Sequence, residues 1–157
     1  MKSYSKKILN SLNLDIFKII SDASDDLKID TYVVGGFVRD LIINKSVKKD
    51  IDIMCVGSGI DLAIAVQEKI NPKAKVSIFK RYGTAMVTFN DYQVEFVGSR
   101  KESYSNDSRN PSVEAGDFMD DMLRRDFTIN TLAIRLNKNK FGELVDTFGG
   151  LQDLEKK

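Results

Sequence analysis

At 157 residues, with 42% apolar and 30% charged side chains, the chain has the size and composition of one ordinary globular domain able to bury a single core, so one domain is expected within it. A net charge of +1 excludes a uniformly basic nucleic-acid binder, so a polyanionic partner would have to be met by a local basic face. The absence of histidine removes imidazole bases and ligands, and the single cysteine, Cys55, removes disulfides and cysteine zinc clusters.

Carboxylates are therefore the natural ligands for a hard cation such as Mg²⁺, and a reducing cytoplasmic setting is the default. Cys55 reads as a small buried hydrophobe. No apolar stretch approaches the roughly 20 residues needed to cross a bilayer, and Met1-Lys2-Ser3-Tyr4 leads into an amphipathic segment unlike a signal peptide, so no membrane partner is expected.

Apolar residues at Leu9, Leu12, Ile16, Ile19, Ile20, Ala23 and Leu27 recur at three and four, which predicts amphipathic helix over the first 28 residues with a break near Asn10 to Asn13. Thr31 to Gly35 is a short β-branched run, Phe37 to Ile43 is helical, and Asp50 to Val56 is a strand ended by Gly57-Ser58-Gly59. Leu62, Ala63, Val66 and Ile70 form the next helical stripe, closed by Asn71-Pro72. Val76 to Phe79 and Thr84 to Phe89 read as strands, and Asn90-Asp91 turns into a third in which Val94 and Phe96 oppose Gln93, Glu95 and Val97.

Ser99 to Gly116 is an 18-residue polar stretch, which reads as a functional loop or as disorder. Asp117 can cap a helix through Phe118, Met119, Met122 and Leu123, and Asp126 a second through Ile129, Leu132 and Ala133, with Arg124-Arg125 at their junction. Ala133 to Leu136 and Glu143 to Val145 are short strands, and Asp146-Thr147-Phe148-Gly149-Gly150 turns into a terminal helix. The expectation is an α/β (α+β) fold with a mixed sheet of about five strands flanked by helices.

The motifs that carry chemistry come early. In a strand, Asp50 and Asp52 project from one face and Ile51 and Ile53 from the other, and two carboxylates about 7 Å apart invite divalent metal. Gly35-Gly36 lets backbone N–H groups approach an anion, and Arg39 one helical turn later offers a planar fork for phosphate oxygens. Glu95 on a neighbouring strand is a candidate third ligand. With 17 lysines and 7 arginines, lysine is the default solubiliser, which makes Arg39, Arg124 and Arg125 stand out. Each motif has a plainer reading: carboxylates on a solvated sheet face, a tight glycine turn, and arginine ion pairs with Asp120, Asp121 or Asp126. Lys45, Lys48, Lys49, Lys73 and Lys75 read as ordinary solvated charges.

The segments Val34-Gly35-Gly36-Phe37-Val38-Arg39-Asp40, Asp50-Ile51-Asp52, Arg124-Arg125-Asp126-Phe127-Thr128-Ile129-Asn130 and Asp146-Thr147-Phe148-Gly149-Gly150 occur in the order seen in tRNA nucleotidyltransferases of the bacterial and eukaryotic type. From about residue 28 to 155 the chain resembles the catalytic head of these CCA-adding enzymes and bacterial poly(A) polymerases, within the DNA polymerase β-like nucleotidyltransferase superfamily. The resemblance implies that Asp50, Asp52 and Glu95 hold two Mg²⁺ ions, that Gly35, Gly36 and Arg39 meet the triphosphate, and that Arg124, Arg125, Asp126 and Asn130 line the nucleotide and its ribose. Beside the N-terminal helical segment read from spacing at residues 1–28, it implies 29–150 as the head and 151–157 as the start of a neck helix that is cut off. It places a flexible loop at Ser99 to Gly116.

The implied reaction transfers CMP or AMP from CTP or ATP to an RNA 3′-hydroxyl, with tRNA CCA-end synthesis favoured over poly(A) addition because the head lacks long basic insertions. A head that binds nucleotides without turnover is the alternative from another class.

Overall fold

The computed structural model describes residues 2–156 except 44, 47–48, 72, 104–111 and 126. The amphipathic N-terminal stretch forms two helices, α1 (Lys2–Ser11) and α2 (Asp15–Leu27), broken at residues 12–14 as the sequence predicts. Then follow β1 (Thr31–Val34), α3 (Gly36–Ile42), β2 (Asp50–Cys55), α4 (Gly59–Ile70), β3 (Val76–Phe79), β4 (Thr84–Phe89) and β5 (Tyr92–Gly98). After β6 (Arg100–Ser103) and β7 (Ser112–Ala115) come α5 (Phe118–Leu123), β8 (Ala133–Arg135), β9 (Leu144–Val145) and α6 (Gly150–Glu155).

The main sheet has the order β3-β4-β5-β2-β1-β8-β9 and is mixed: β2 and β5 run parallel, the other neighbours antiparallel. It has seven strands where about five were expected, because β8 and β9 add onto the β1 edge. The polar stretch 99–116 is not loop throughout. Its flanks pair as the antiparallel hairpin β6-β7, and the tip at 104–111 lies outside the described residues. Asp126, expected to cap a helix, also lies outside them, and the segment after it forms a 3-10 turn over Thr128–Thr131.

The sheet's two faces have different work. One is covered by α1 to α4, whose Ile8, Phe17, Ile20, Leu41 and Leu62, with Leu12 from the break between α1 and α2, pack on Val33, Ile51, Ile53, Val94 and Phe96 in the main core. Burying roughly a dozen large aliphatic and aromatic side chains, at about 1.5 to 3 kcal/mol each, is the dominant stabilising contribution here. Cys55 ends β2 fully buried, and burial pushes its thiol up to about 12. The opposite face is covered only in part, where Tyr32, Val34, Met54 and Ala133 meet Met122 of α5 and Phe118 stacks on Tyr32 with ring centroids 4.5 Å apart. The rest of that face is open, and the carboxylates lie on it.

Candidate active site

Alternation along β2 decides which side chains reach the open face. Ile51 and Ile53 are buried in the core while Asp50 and Asp52 are exposed. On β5, Val94 and Phe96 are buried and Glu95 turns the other way. The parallel register sets Asp52 opposite Glu95 and Asp50 opposite Gln93, so Asp52 and Glu95 are lateral neighbours at the strand spacing of about 4.8 Å. Both line a cleft of ≈ 280 Å³ shared with Val34, Gly35, Arg124 and Arg125.

The electrostatics of the cleft centre on Asp52. Its carboxyl pKa is raised, first by desolvation among the protein atoms around it, next by the charge of Glu95, with Asp50 adding a smaller push. Arg125 opposes these and favours the ionised form. Part of the Asp52 surface remains open to solvent, so water screens these forces without removing them. The arrangement gathers negative charge that a cation would relieve.

The turn between β1 and α3 comes against this carboxylate. Gly35 has φ +76° and ψ −147°, a region that side chains disfavour, and a Cβ there would stand 3.0 Å from Asp52 Oδ2. Glycine thus lets backbone lie alongside the acid.

The cationic wall comes from the end of α5. Asp117 accepts from the Asp120 N–H while Asp120 accepts from the Asp117 N–H, a capping box that fixes where the helix starts. One turn on, Asp121 is fully buried. It receives Arg124 Nη2 at 3.4 Å, and its Oδ1 receives Arg125 Nε at 3.1 Å and Nη2 at 2.9 Å. Arg125 Nη1 also donates to the Asn130 carbonyl at 3.2 Å, and the buried Arg124 Nε has no hydrogen-bond partner among the described residues. Both guanidiniums are held in fixed attitudes with donor capacity left over.

The structure therefore brings Asp52, Glu95, Gly35, Arg124 and Arg125 together. Asp50 shares the face one step along β2, outside the cleft lining. Gly36, Arg39 and Asn130 also lie outside it. Arg39 Nε pairs with the buried Asp40 at 3.1 Å, and a Cβ on Gly36 would be 3.5 Å from Arg39 Nη2, so Arg39 folds back over the start of its own helix. Asn130 contributes its backbone carbonyl to Arg125 rather than a side-chain contact. Asp126 is outside the described residues. Among the described residues no group of three or more acids is drawn close enough to hold a metal unaided. The strand rise keeps Asp50 about 7 Å from Asp52, and like charges have no reason to converge.

Asp121 was legible only as one of three possible arginine partners. The signal that selects it is its spacing of three and four before Arg124 and Arg125, which puts all three side chains on one helical face.

Beyond the cleft, Asp146 accepts from the backbone N–H groups of Gly150 at 2.7 Å and Leu151 at 3.2 Å, opening α6. Gly150 packs so close to the Thr128 carbonyl that a Cβ would lie 2.5 Å from it. The Asp-Thr-Phe-Gly-Gly run thus seats α6 on the 3-10 turn that also supplies the Asn130 carbonyl to Arg125.

Comparison with known proteins places this geometry. An A-adding tRNA nucleotidyltransferase of Geobacter sulfurreducens is 39% identical over 139 residues, which is 88% of this chain and 16% of that protein. A CCA-adding enzyme in an apo form superimposes with a TM-score of 0.85 at 31% identity, covering 97% of this chain and 36% of the other. A tRNA nucleotidyltransferase solved with a primer tRNA and an incoming ATP analog gives 0.76 at 33% identity, covering 88% and 37%. The chain thus spans well under half the length of these relatives. Among the described residues no helix is long and apolar enough to cross a membrane. Residues 31–157 match the model of the poly A polymerase head domain, and the chain belongs to that family.

Proposed function

We propose that this chain carries the catalytic site of a metal-dependent nucleotidyltransferase that adds CMP or AMP from CTP or ATP to the 3′ end of tRNA in the cytoplasm. The observation that carries the reading is the lateral pair Asp52 and Glu95, in register on adjacent parallel strands, opening on one cleft with Arg124 and Arg125. Relatives named for A addition and CCA addition favour tRNA end synthesis over poly(A) tailing.

The donor set fits a hard divalent cation: oxygen ligands only, and an Asp52 carboxyl pushed up first by burial and then by the negative charge of Glu95, both of which a cation would offset. Asp52 and Glu95, with Asp50 beside them, would hold Mg²⁺, which when bound supplies hydroxyl activation and charge neutralisation at the phosphates. Arg124 and Arg125, locked by Asp121, would meet the anionic polyphosphate without paying to order their side chains. The Gly35 turn leaves room for the nucleotide to approach Asp52. A chain without histidine has no imidazole to take the hydroxyl proton, which accords with carboxylate and metal chemistry.

The test is extension of tRNA lacking its CCA end, supplied with labelled CTP and ATP and Mg²⁺. Incorporation that disappears in Asp52→Ala supports the reading. Mg²⁺-dependent triphosphate binding without pyrophosphate release from any RNA would instead make the chain a binding module, and tailing of generic RNA would make it a poly(A) polymerase head.

A further inference from the structure

Between Glu68 and Asp91 the sequence holds five cations, Lys69, Lys73, Lys75, Lys80 and Arg81, and no acid, which leaves −4 on the rest of a chain whose total is +1. Lys69 is spent on Asp26 at 2.7 Å. The other four make no ion pair among the described residues. Taken singly they are ordinary solvated charges. They flank β3, the edge strand of the sheet: Lys73 and Lys75 precede it, and Lys80 and Arg81 lie on the 3-10 turn Lys80–Tyr82 that follows it.

Two aromatic rings lie in the same place. Phe79 is 47% exposed and Tyr82 62%, with the Arg81 guanidinium 5.8 Å from the centre of the Tyr82 ring. The register locates them relative to the cleft. Ser77 of β3 pairs with Met86, Met86 with Glu95, and Glu95 with Asp52, so these four residues form one row on the open face. Phe79, two residues along β3, points to the same side as Ser77. Three strand spacings put this edge about 14 Å from Asp52, roughly four nucleotides of stacked strand.

We propose that Phe79, Lys80, Arg81 and Tyr82 form a platform for a single-stranded RNA segment whose 3′ end is directed at Asp52. Exposed rings and unpaired cations on one edge suit a polyanion with flat, stackable bases. This rests on the nucleotidyltransferase reading for the direction of the strand, but the surface binds RNA whether or not the chemistry occurs.

The test uses this chain in EDTA, where metal and nucleotide play no part, with a short fluorescein-labelled single-stranded RNA followed by anisotropy over a range of salt. The double replacement K80A/R81A weakens binding and lowers the log–log salt slope by about 1.4, the loss of two phosphate contacts. F79S/Y82S weakens binding roughly five- to hundredfold with little change in slope. K6A/K18A, on the helices covering the other face, leaves affinity unchanged.

Absence of RNA binding by the parent chain, unchanged affinity in both platform variants, or an equal loss in K6A/K18A would each overturn the inference. Tyrosine and phenylalanine here are exposed, so circular dichroism should confirm that the variants fold. Mg²⁺-dependent ATP binding, measured in parallel, reports separately on the cleft. Its loss with RNA binding intact would sink the activity and leave the platform standing.

Discussion

Gly35 and Asp52 stand so close that a methyl group added to the glycine would lie 3.0 Å from the aspartate's Oδ2. The backbone there, at φ +76° and ψ −147°, is one that only glycine adopts readily. Gly35→Ala therefore meets two penalties, a strained turn and a displaced carboxylate. The turn alone costs about 1 to 3 kcal/mol. At roughly 2 to 4 °C per kcal/mol for a domain of this size, thermal denaturation should show a fall of several degrees. An unchanged midpoint with unchanged nucleotide binding would mean that β1 and α3 can shift apart freely.

Asp52 sets a pH dependence whose sign can be worked out. Its folded-state pKa lies above the ordinary value of 3.8, so between the two values the folded chain holds a proton that the unfolded chain has lost. The associated stability is complete at low pH and is given up as pH rises through the folded pKa. Asp52→Asn, which carries no charge at any pH, should be more stable than the parent near pH 7 without Mg²⁺, and the gap should close below the unfolded value. Melting curves across this range would read it directly. Added Mg²⁺ should narrow the gap at neutral pH by stabilising the parent alone. A variant less stable than the parent at pH 7 would show that Asp52 makes favourable contacts outweighing its repulsion from Glu95.

Asp121 is the anchor of the arginine wall, and removing it leaves two guanidiniums partly enclosed by protein with their shared partner gone. Asp121→Ala should cost about 3 kcal/mol in urea unfolding, toward the lower end for a broken buried pair because both arginines keep some access to water. Asp121→Asn keeps the shape and loses the charge, so it should be milder in stability but still weaken triphosphate binding. Equal nucleotide affinity in Asp121→Asn and the parent would show that the arginines need no such anchor.

Far from the cleft, Asn137 ties the end of α2 to the start of β1. Its Oδ1 accepts from the Thr31 N–H at 2.9 Å, and its Nδ2 donates to Asp25 at 3.0 Å and to the Ile29 carbonyl at 2.8 Å. Asn137→Ala leaves a buried backbone donor without a partner, a loss of about 1 to 3 kcal/mol. Chemical denaturation should register it while nucleotide binding stays at the parental level, because the tie lies at the end of β1 remote from Gly35. A parallel loss of binding would show that the helical layer and the site are coupled.

The central strands were legible because the core enforces a period of two: Ile51 and Ile53 against Asp50 and Asp52, Val94 and Phe96 against Glu95. The start of α5 was legible because Asp117 caps locally. Pairing between distant segments leaves no such mark. Ala133–Arg135 and Leu144–Val145 were readable as short strands, but their addition to the β1 edge of the main sheet was not. The β6-β7 hairpin was hidden because few of its residues are apolar, so no alternation announced it. Within the site, carboxylates and arginines were recognisable by type, but Arg39 turning back to Asp40 and Asp121 serving both later arginines depend on side-chain directions that spacing constrains without choosing.

Cys55, sealed in the sheet with its thiol pushed up to about 12, holds almost no thiolate at neutral pH and offers alkylating reagents no path to its sulfur. The parent chain is therefore a silent background for thiol chemistry. A cysteine introduced on the surface, for instance Lys6→Cys on the helical layer, becomes the one addressable position in the molecule. A dye or spin label placed there could report on the encounter with tRNA without first removing a core residue.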